Sequence, residues 1–252
     1  MWRQSAIIAM VVCTLVLGVW ADSFDDVWSG EWKTAALWSN TGGGGDLYPW
    51  DDDTTLIDSH EIYCQWDTQL PATADVTISG AGVLKLESSQ VAKFTLGAGG
   101  TLWLASTDAI HWASAFAVAV TGEANLKSTN SKADYWSPRI HKELVGASKL
   151  NVIGGGIALN SANPSFSGGF DIQSNAGLVL FQDGASGTGP VTVRSGGALT
   201  VWSDQAGAVK PSLTTLESGA ELIMYTGYIL DSTDSCRVLV PWFFRPEGAM
   251  EW

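Results

Sequence analysis

Basic residues are scarce in this chain. Lys and Arg number 13 against 26 Asp and Glu, which leaves a formal charge of −13 over 252 residues. Nucleic-acid binding rests on Lys and Arg that neutralise phosphates and release counterions, so this balance excludes a nucleic-acid partner. Charge of either sign is sparse, but the acids cluster: between Asp22 and Asp67 eleven of them face one base, Lys33. Histidine is rarer still. His60, His111 and His141 lie far apart, with no His-x-x-x-His or Cys/His spacing, so no metal centre is expected from them. Also missing are a Gly-x-Ser-x-Gly elbow, a phosphate-binding glycine loop ending in Lys-Ser/Thr and a dinucleotide fingerprint. No cofactor is expected, and no catalytic residue is assigned.

Long apolar runs are limited to one. The opening "MWRQSAIIAMVVCTLVLGVWADS" places Arg3 before an apolar stretch from Ala6 to Val19 and ends it at Val19-Trp20-Ala21. That layout predicts a secretory signal peptide over residues 1–21, cleaved after Ala21. The stretch is shorter than the roughly 20 residues a spanning helix needs, and no basic cluster follows it. The mature chain is therefore expected to lack a membrane-spanning segment and to be secreted or held at the cell surface. Cysteine is sparse too. Once Cys13 leaves with the leader, Cys64 and Cys236 remain, a pair that in an exported protein suggests a disulfide.

What the chain has in quantity is short alternation punctuated by glycine. In "GTGPVTVRSGGALTV" (187–201), Val191 and Val193 precede a Ser-Gly-Gly turn, and Leu199 and Val201 follow it. Successive side chains of a strand point to opposite faces, so these four form an inward set. The same figure recurs as Val76/Ile78 before Leu84/Leu86, and as Phe94/Leu96 before Leu102/Leu104. Val118/Val120 precede Leu126, Leu150/Val152 precede Ile157/Leu159, and Phe170/Ile172 precede Leu178/Leu180. Leu216 precedes Leu222/Met224. The step across the turn is six residues in every case but Val152 to Ile157. A sandwich of hairpins has no reason to repeat one internal offset. A stack of coils has one, because each coil sets its apolar residues above those of the coil below.

These observations predict an all-β chain folded as a parallel β-helix, a solenoid over residues 74–230. Coils stack at about 4.8 Å, so Cys64 and Cys236 are expected on the order of 30 Å apart, beyond bridging distance. Both are expected to stay reduced in the monomer.

Residues 143–201, "ELVGASKLNVIGGGIALNSANPSFSGGFDIQSNAGLVLFQDGASGTGPVTVRSGGALTV", resemble the autotransporter-associated β-strand repeat, also called the passenger-associated transport repeat. The matching positions are Asn163, Phe166, Ser167, Gly168 and Gly169, then Gly187, Gly189, Pro190, Val191, Thr192 and Val193, and finally Gly197, Ala198 and Leu199. The Trp-rich stretch from Trp28 to Asp67 is similar to the opening of many exported bacterial β-helix proteins. The resemblance implies a right-handed β-helix, in line with crossover handedness, and export from a bacterium with an outer membrane. Autotransporters carry a C-terminal membrane barrel, and the chain is expected to lack one, so self-secretion is not implied. The repeat brings no catalytic residues with it.

A solenoid needs covers where its last strands expose unpaired backbone. The acidic segment 22–73 with Trp28, Trp32, Trp38 and Trp50 is expected to be the N-terminal cap and first coil. Residues 231–252, with "VLVPWFFRPEG", are expected to form a C-terminal cap or a truncated coil, Pro241 and Pro246 stopping strand pairing. The segment 107–144 fits the coil period poorly and reads as an irregular insertion. Asp51-Asp52-Asp53 reads as a solvated turn, since adjacent carboxylates on an extended chain point apart. The outward positions Thr77, Ser79, Thr95, Thr192, Thr200 and Thr215 offer no ladder of acids, and Arg194 and Asp171 stand as isolated charges.

The leading expectation is a non-enzymatic, monomeric, exported β-solenoid that acts as a structural or adhesive protein at the surface or outside the cell. Its expected partners are surface glycans or other cell-surface proteins. The alternative is a carbohydrate-binding module, with Trp103 and Trp202 as outward stacking rings. A polysaccharide lyase or hydrolase stands behind both, because no paired carboxylates facing one groove can be picked out.

Overall fold

A computed structural model of the chain describes residues 22–42, 46–50, 53–106, 109–110, 116–130, 137–202, 213–225, 236–238 and 244–246. The leader expected over residues 1–21 lies outside them. Among the described residues the regular structure is all strand apart from one 3-10 turn, Ala35–Leu37, and the strands are arranged as a parallel β-solenoid of three sheets.

The second of these sheets is the backbone of the molecule. It has ten strands, running in order Gly30–Glu31, Glu61–Cys64, Val83–Leu86, Thr101–Leu104, Ala124–Ser128, Leu150–Ile153, Phe170–Ile172, Val191–Val193, Thr214–Leu216 and Cys236–Val238. Every pair in it is parallel. Val191–Val193 pairs with the strands of the coils before and after it, while Ala198–Trp202 pairs within the third sheet. The two halves of that doublet are thus successive sides of one coil, not a hairpin.

Register puts like on like. Ile62, Leu84, Leu102, Leu126, Val152, Ile172, Val193 and Leu216 are aligned rung over rung, and all are buried. The alternation of each strand makes this column. All of its members face the core, and a one-residue slip would turn the whole row to water. Each buried Leu, Ile or Val contributes roughly 1.5–3 kcal/mol of transfer free energy.

The coils have three sides, and the doublet changes sides partway along the chain. Up to Leu126 the six-residue step turns the chain from the first sheet to the second, as in Asp75–Ile78 to Val83–Leu86 and Lys93–Leu96 to Thr101–Leu104. From Leu150 it turns from the second to the third, as in Phe170–Ile172 to Gly177–Leu180. The figure that looks uniform in sequence is therefore two different corners. The exchange falls within the segment that breaks the coil period. There the third sheet begins at Arg139–Ile140 and the first ends at Leu144–Gly146.

Where a sheet is missing, single bridges and buried amides take over. Gln90, Ile110 and Ile140 carry the third side in the N-terminal half through isolated bridges, and Gly146 and Phe166 carry the first side later. Buried Gln90 accepts the Leu70 N–H (2.7 Å) and donates to the Thr68 carbonyl (2.8 Å). Asn163 accepts the Leu144 N–H (2.7 Å) and donates to the Ala185 carbonyl. Each amide satisfies backbone groups on a side of the coil where no continuous ladder runs. The Ser-Gly-Gly after Phe166 has its own reason. Gly168 lies so close to the coil below that a Cβ would fall 1.8 Å from the Ser148 carbonyl oxygen, and Gly169 holds φ at +77°.

At the N-terminal end Trp38–Asn40 folds back antiparallel on Ser23–Asp26 and covers the edge of the first sheet. Trp32 and Trp38 are buried with ring centroids 4.9 Å apart in an edge-to-face pair. The Trp32 indole donates to the Pro49 carbonyl (3.0 Å), and that of Trp38 donates to the Trp32 carbonyl (2.7 Å). These two rings close the core, as expected of a Trp-rich cap. The other two do not: Trp28 is 67% exposed and Trp50 38%. At the other end Cys236–Val238 and Phe244–Pro246 add further rungs to the second and third sheets, so this stretch continues the coil, Pro246 included.

Cys64 is buried and free. It shares the second sheet with Cys236, and seven strands lie between their own, a separation of about 38 Å at the usual rung spacing. Burial drives the Cys64 thiol pKa up, so the group stays protonated.

Candidate functional site

The outward face of the second sheet carries two side-chain systems. In its N-terminal half Tyr63, Lys85, Trp103 and Lys127 occupy one column on consecutive strands. Alternation aims all four outward, and their rung spacing brings neighbours into contact. The Lys127 ammonium stands 3.7 Å from the centroid of the Trp103 ring and that of Lys85 5.0 Å, a cation–π arrangement from both flanking strands. Lys85 also pairs with Glu87 at 2.5 Å. Lys127 has no carboxylate within ion-pair distance among the described residues. The Trp103 indole N–H is enclosed and has no hydrogen-bond partner there either.

Trp103 and Trp202 are not brought together. Trp202 ends a strand of the third sheet and packs against Phe181, with ring centroids 5.9 Å apart. The Arg139 guanidinium lies 4.9 Å over the Phe181 ring. The geometry also changes what Trp103 can offer. Its ring is flanked by two ammonium groups, so the chemistry it presents is cationic before it is a bare stacking surface.

Beside the Lys–Trp column, one outward position back on the strands of Trp103 and Lys127 and on the strand after them, runs a row of neutral polar groups. Asn125 donates to the Thr101 hydroxyl (3.1 Å), and Asn151 donates to the Asn125 side-chain oxygen (3.3 Å).

The C-terminal half of the same face is an ion ladder. Arg194 binds both carboxylate oxygens of Asp171, at 2.8 and 2.7 Å, and reaches Glu217 at 2.6 Å. Lys149 lies 3.0 Å from Glu123 and 3.9 Å from Asp171. Five groups of alternating sign thus cross five consecutive coils. The expectation of isolated Asp171 and Arg194 is corrected: strand pairing brings together residues 23 apart in sequence. Hydrogen bonds that Arg194 donates to Asp171 and Glu217 raise its pKa, and Arg194 in turn lowers that of Glu217. Thr200 is corrected as well. It is fully buried, not an outward polar residue.

A third cluster sits under the cap. Carboxylates of Asp22, Asp46 and Asp53 come within 4.8 Å of one another, and Asp22 and Asp53 are buried. Asp53 accepts the backbone N–H of Asp22 (2.9 Å) and of Trp50 (2.7 Å). Burial raises its pKa, and the charges of Asp46 and Asp22 add to the effect against those two hydrogen bonds. Of the Asp51-Asp52-Asp53 run Asp53 belongs here; residues 51–52 lie outside the described residues. The set offers oxygen ligands of the kind Ca²⁺ takes, but its buried oxygens already accept protein donors.

The histidines stay apart. His60 pairs with Asp26 (3.1 Å), whose buried carboxylate also accepts the N–H groups of Asp58, Ser59 and His60 and so clamps a corner. His141 bonds Asn160 (3.0 Å). His111 lies outside the described residues.

Comparison with protein-family models, with curated proteins and with solved structures finds no match to this chain.

Proposed function

We propose that the chain is an exported, non-enzymatic β-solenoid that serves as a structural or adhesive protein at the cell surface or outside the cell. The observation that carries this reading is the second sheet, ten parallel strands spanning Gly30 to Val238 without a break. Such a sheet makes a stiff rod, because every coil is held by backbone ladders and an apolar column to its neighbours. Outward side chains that bond along the rod, as in the ion ladder, favour a load-bearing or presenting surface. The leader-like opening and the family resemblance of residues 143–201 support export from a bacterium with an outer membrane.

Expression of the full reading frame with a C-terminal epitope in an outer-membrane bacterium tests the proposal. The expected product begins at Asp22 by mass spectrometry and is found outside the cell or degraded by protease added to intact cells. Retention in the cytoplasm with residues 1–21 still attached would overturn it.

A further inference from the structure

We propose that the Lys85–Trp103–Lys127 column, with the Asn125–Asn151 row beside it, is a binding strip for an anionic glycan such as a polyuronate. This rests on the adhesive reading above and names what the surface would adhere to.

Three features of the strip converge. First, two ammonium groups are held within about 9 Å of each other by one indole ring. In a chain with 26 acids and 13 bases, Lys127 is left without a carboxylate among the described residues. A cation that the fold does not neutralise is available to an anion from outside. Second, the enclosed Trp103 N–H lacks an acceptor. A sugar oxygen that reaches it on a rearrangement of the side chains around the ring would satisfy that donor. Third, Thr101, Asn125 and Asn151 line the strip with hydroxyl and amide groups on successive rungs. Hydroxyl and amide groups match the hydroxyls of a sugar, which a bare anion lacks. Stacked coils repeat at about 4.8 Å, close to the length of one pyranose, so an extended chain crossing these three rungs meets Thr101, Asn125 and Asn151 in turn.

The ring is thus a holder for two cations, and the recognised group is a carboxylate or sulfate on a sugar, not a neutral pyranose face. Lys85 contributes less than Lys127 because Glu87 already holds it.

Calorimetric titration of the folded protein with oligogalacturonate tests this. Binding is expected at low salt, to weaken as NaCl is raised, and to be absent with neutral dextran oligomers. Lys127→Gln is expected to lower the affinity about tenfold, the scale of one lost charge-assisted contact. Glu87→Gln, which frees Lys85, is expected to raise it. Lys93→Gln, whose ammonium pairs with Asp75 on the first sheet, is expected to change nothing. Absence of binding by protein that retains its native circular dichroism would overturn the proposal. So would an equal loss in Lys127→Gln and Lys93→Gln, or competition by inorganic sulfate as effective as that of the oligosaccharide. Export read by cell fractionation is independent of these outcomes, so failure here is distinguishable from failure of the rod reading.

Discussion

At the scale of single residues, the fold is held by groups that do one job each. Asn163 and Gln90 stand where a strand ladder is missing: Asn163 satisfies a buried donor in the coil before it and an acceptor in the coil after it, and Gln90 satisfies both in the coil before it. Leaving such groups unpaired costs about 1–3 kcal/mol each, which explains why an amide is placed in an otherwise apolar core. Asp53 is the opposite case, a carboxylate whose surroundings disfavour its charge. Its pKa is raised in the folded protein, so the folded state binds the proton more tightly than the unfolded chain. Stability from this group is gained as pH falls through the raised folded value and is complete below the unfolded one, near 3.9. Thermal melts of the wild type and Asp53→Asn are therefore expected to draw apart in favour of the wild type as pH is lowered from about 7 to about 4. A constant or shrinking difference would show that burial, with the nearby charges of Asp46 and Asp22, does not raise the Asp53 pKa.

At the scale of elements, the strands were legible and their grouping was not. The apolar doublets gave the inward columns because alternation is a property of each strand alone. The third side of the coil was hidden, since in the N-terminal half it consists of single bridges at Gln90 and Ile110, which leave no periodic trace. The change of corner between Leu126 and Leu150 was hidden for a different reason. Both corners are closed by nearly the same step, five residues at Val152–Ile157 and six elsewhere, so the sequence looks continuous across a switch of faces. Side-chain ladders depend on register between coils of unequal length. Lys85 to Trp103 spans 18 residues and Trp103 to Lys127 spans 24, yet pairing aligns all three. Trp103 could be read as outward, but the lysines flanking it could not. The ion ladder follows the same rule. Arg194→Ala is expected to destabilise the protein by about 1–2 kcal/mol in urea unfolding, discounted because the guanidinium is 44% exposed while its partner Asp171 is buried. Arg194→Lys, unable to hold both carboxylate oxygens, is expected to recover only part of that. Neutral behaviour of Arg194→Ala would remove the ladder from the account of stability.

At the scale of the whole molecule, one sheet of ten strands joins two halves that use different second faces. The rod is closed at one end by buried Trp32 and Trp38, and there the first sheet ends in the short antiparallel strand Trp38–Asn40. Cys64 and Cys236 lie too far apart along that rod to bridge, a consequence of stacking alone. The central claim is that successive coils lie parallel in register. It is tested most directly by cysteine pairs placed in a Cys64→Ala, Cys236→Ala background and oxidised mildly. Thr192 and Thr215 are register partners on adjacent coils, at a rung spacing of about 4.8 Å that falls within the Cα range of a disulfide. Thr192→Cys with Thr215→Cys is expected to cross-link in the folded protein, and Thr192→Cys with Thr200→Cys is expected not to. The reverse outcome, a 192–200 bridge without a 192–215 bridge, would mean that Val191–Val193 folds back on Ala198–Trp202 as a hairpin, and would contradict the solenoid.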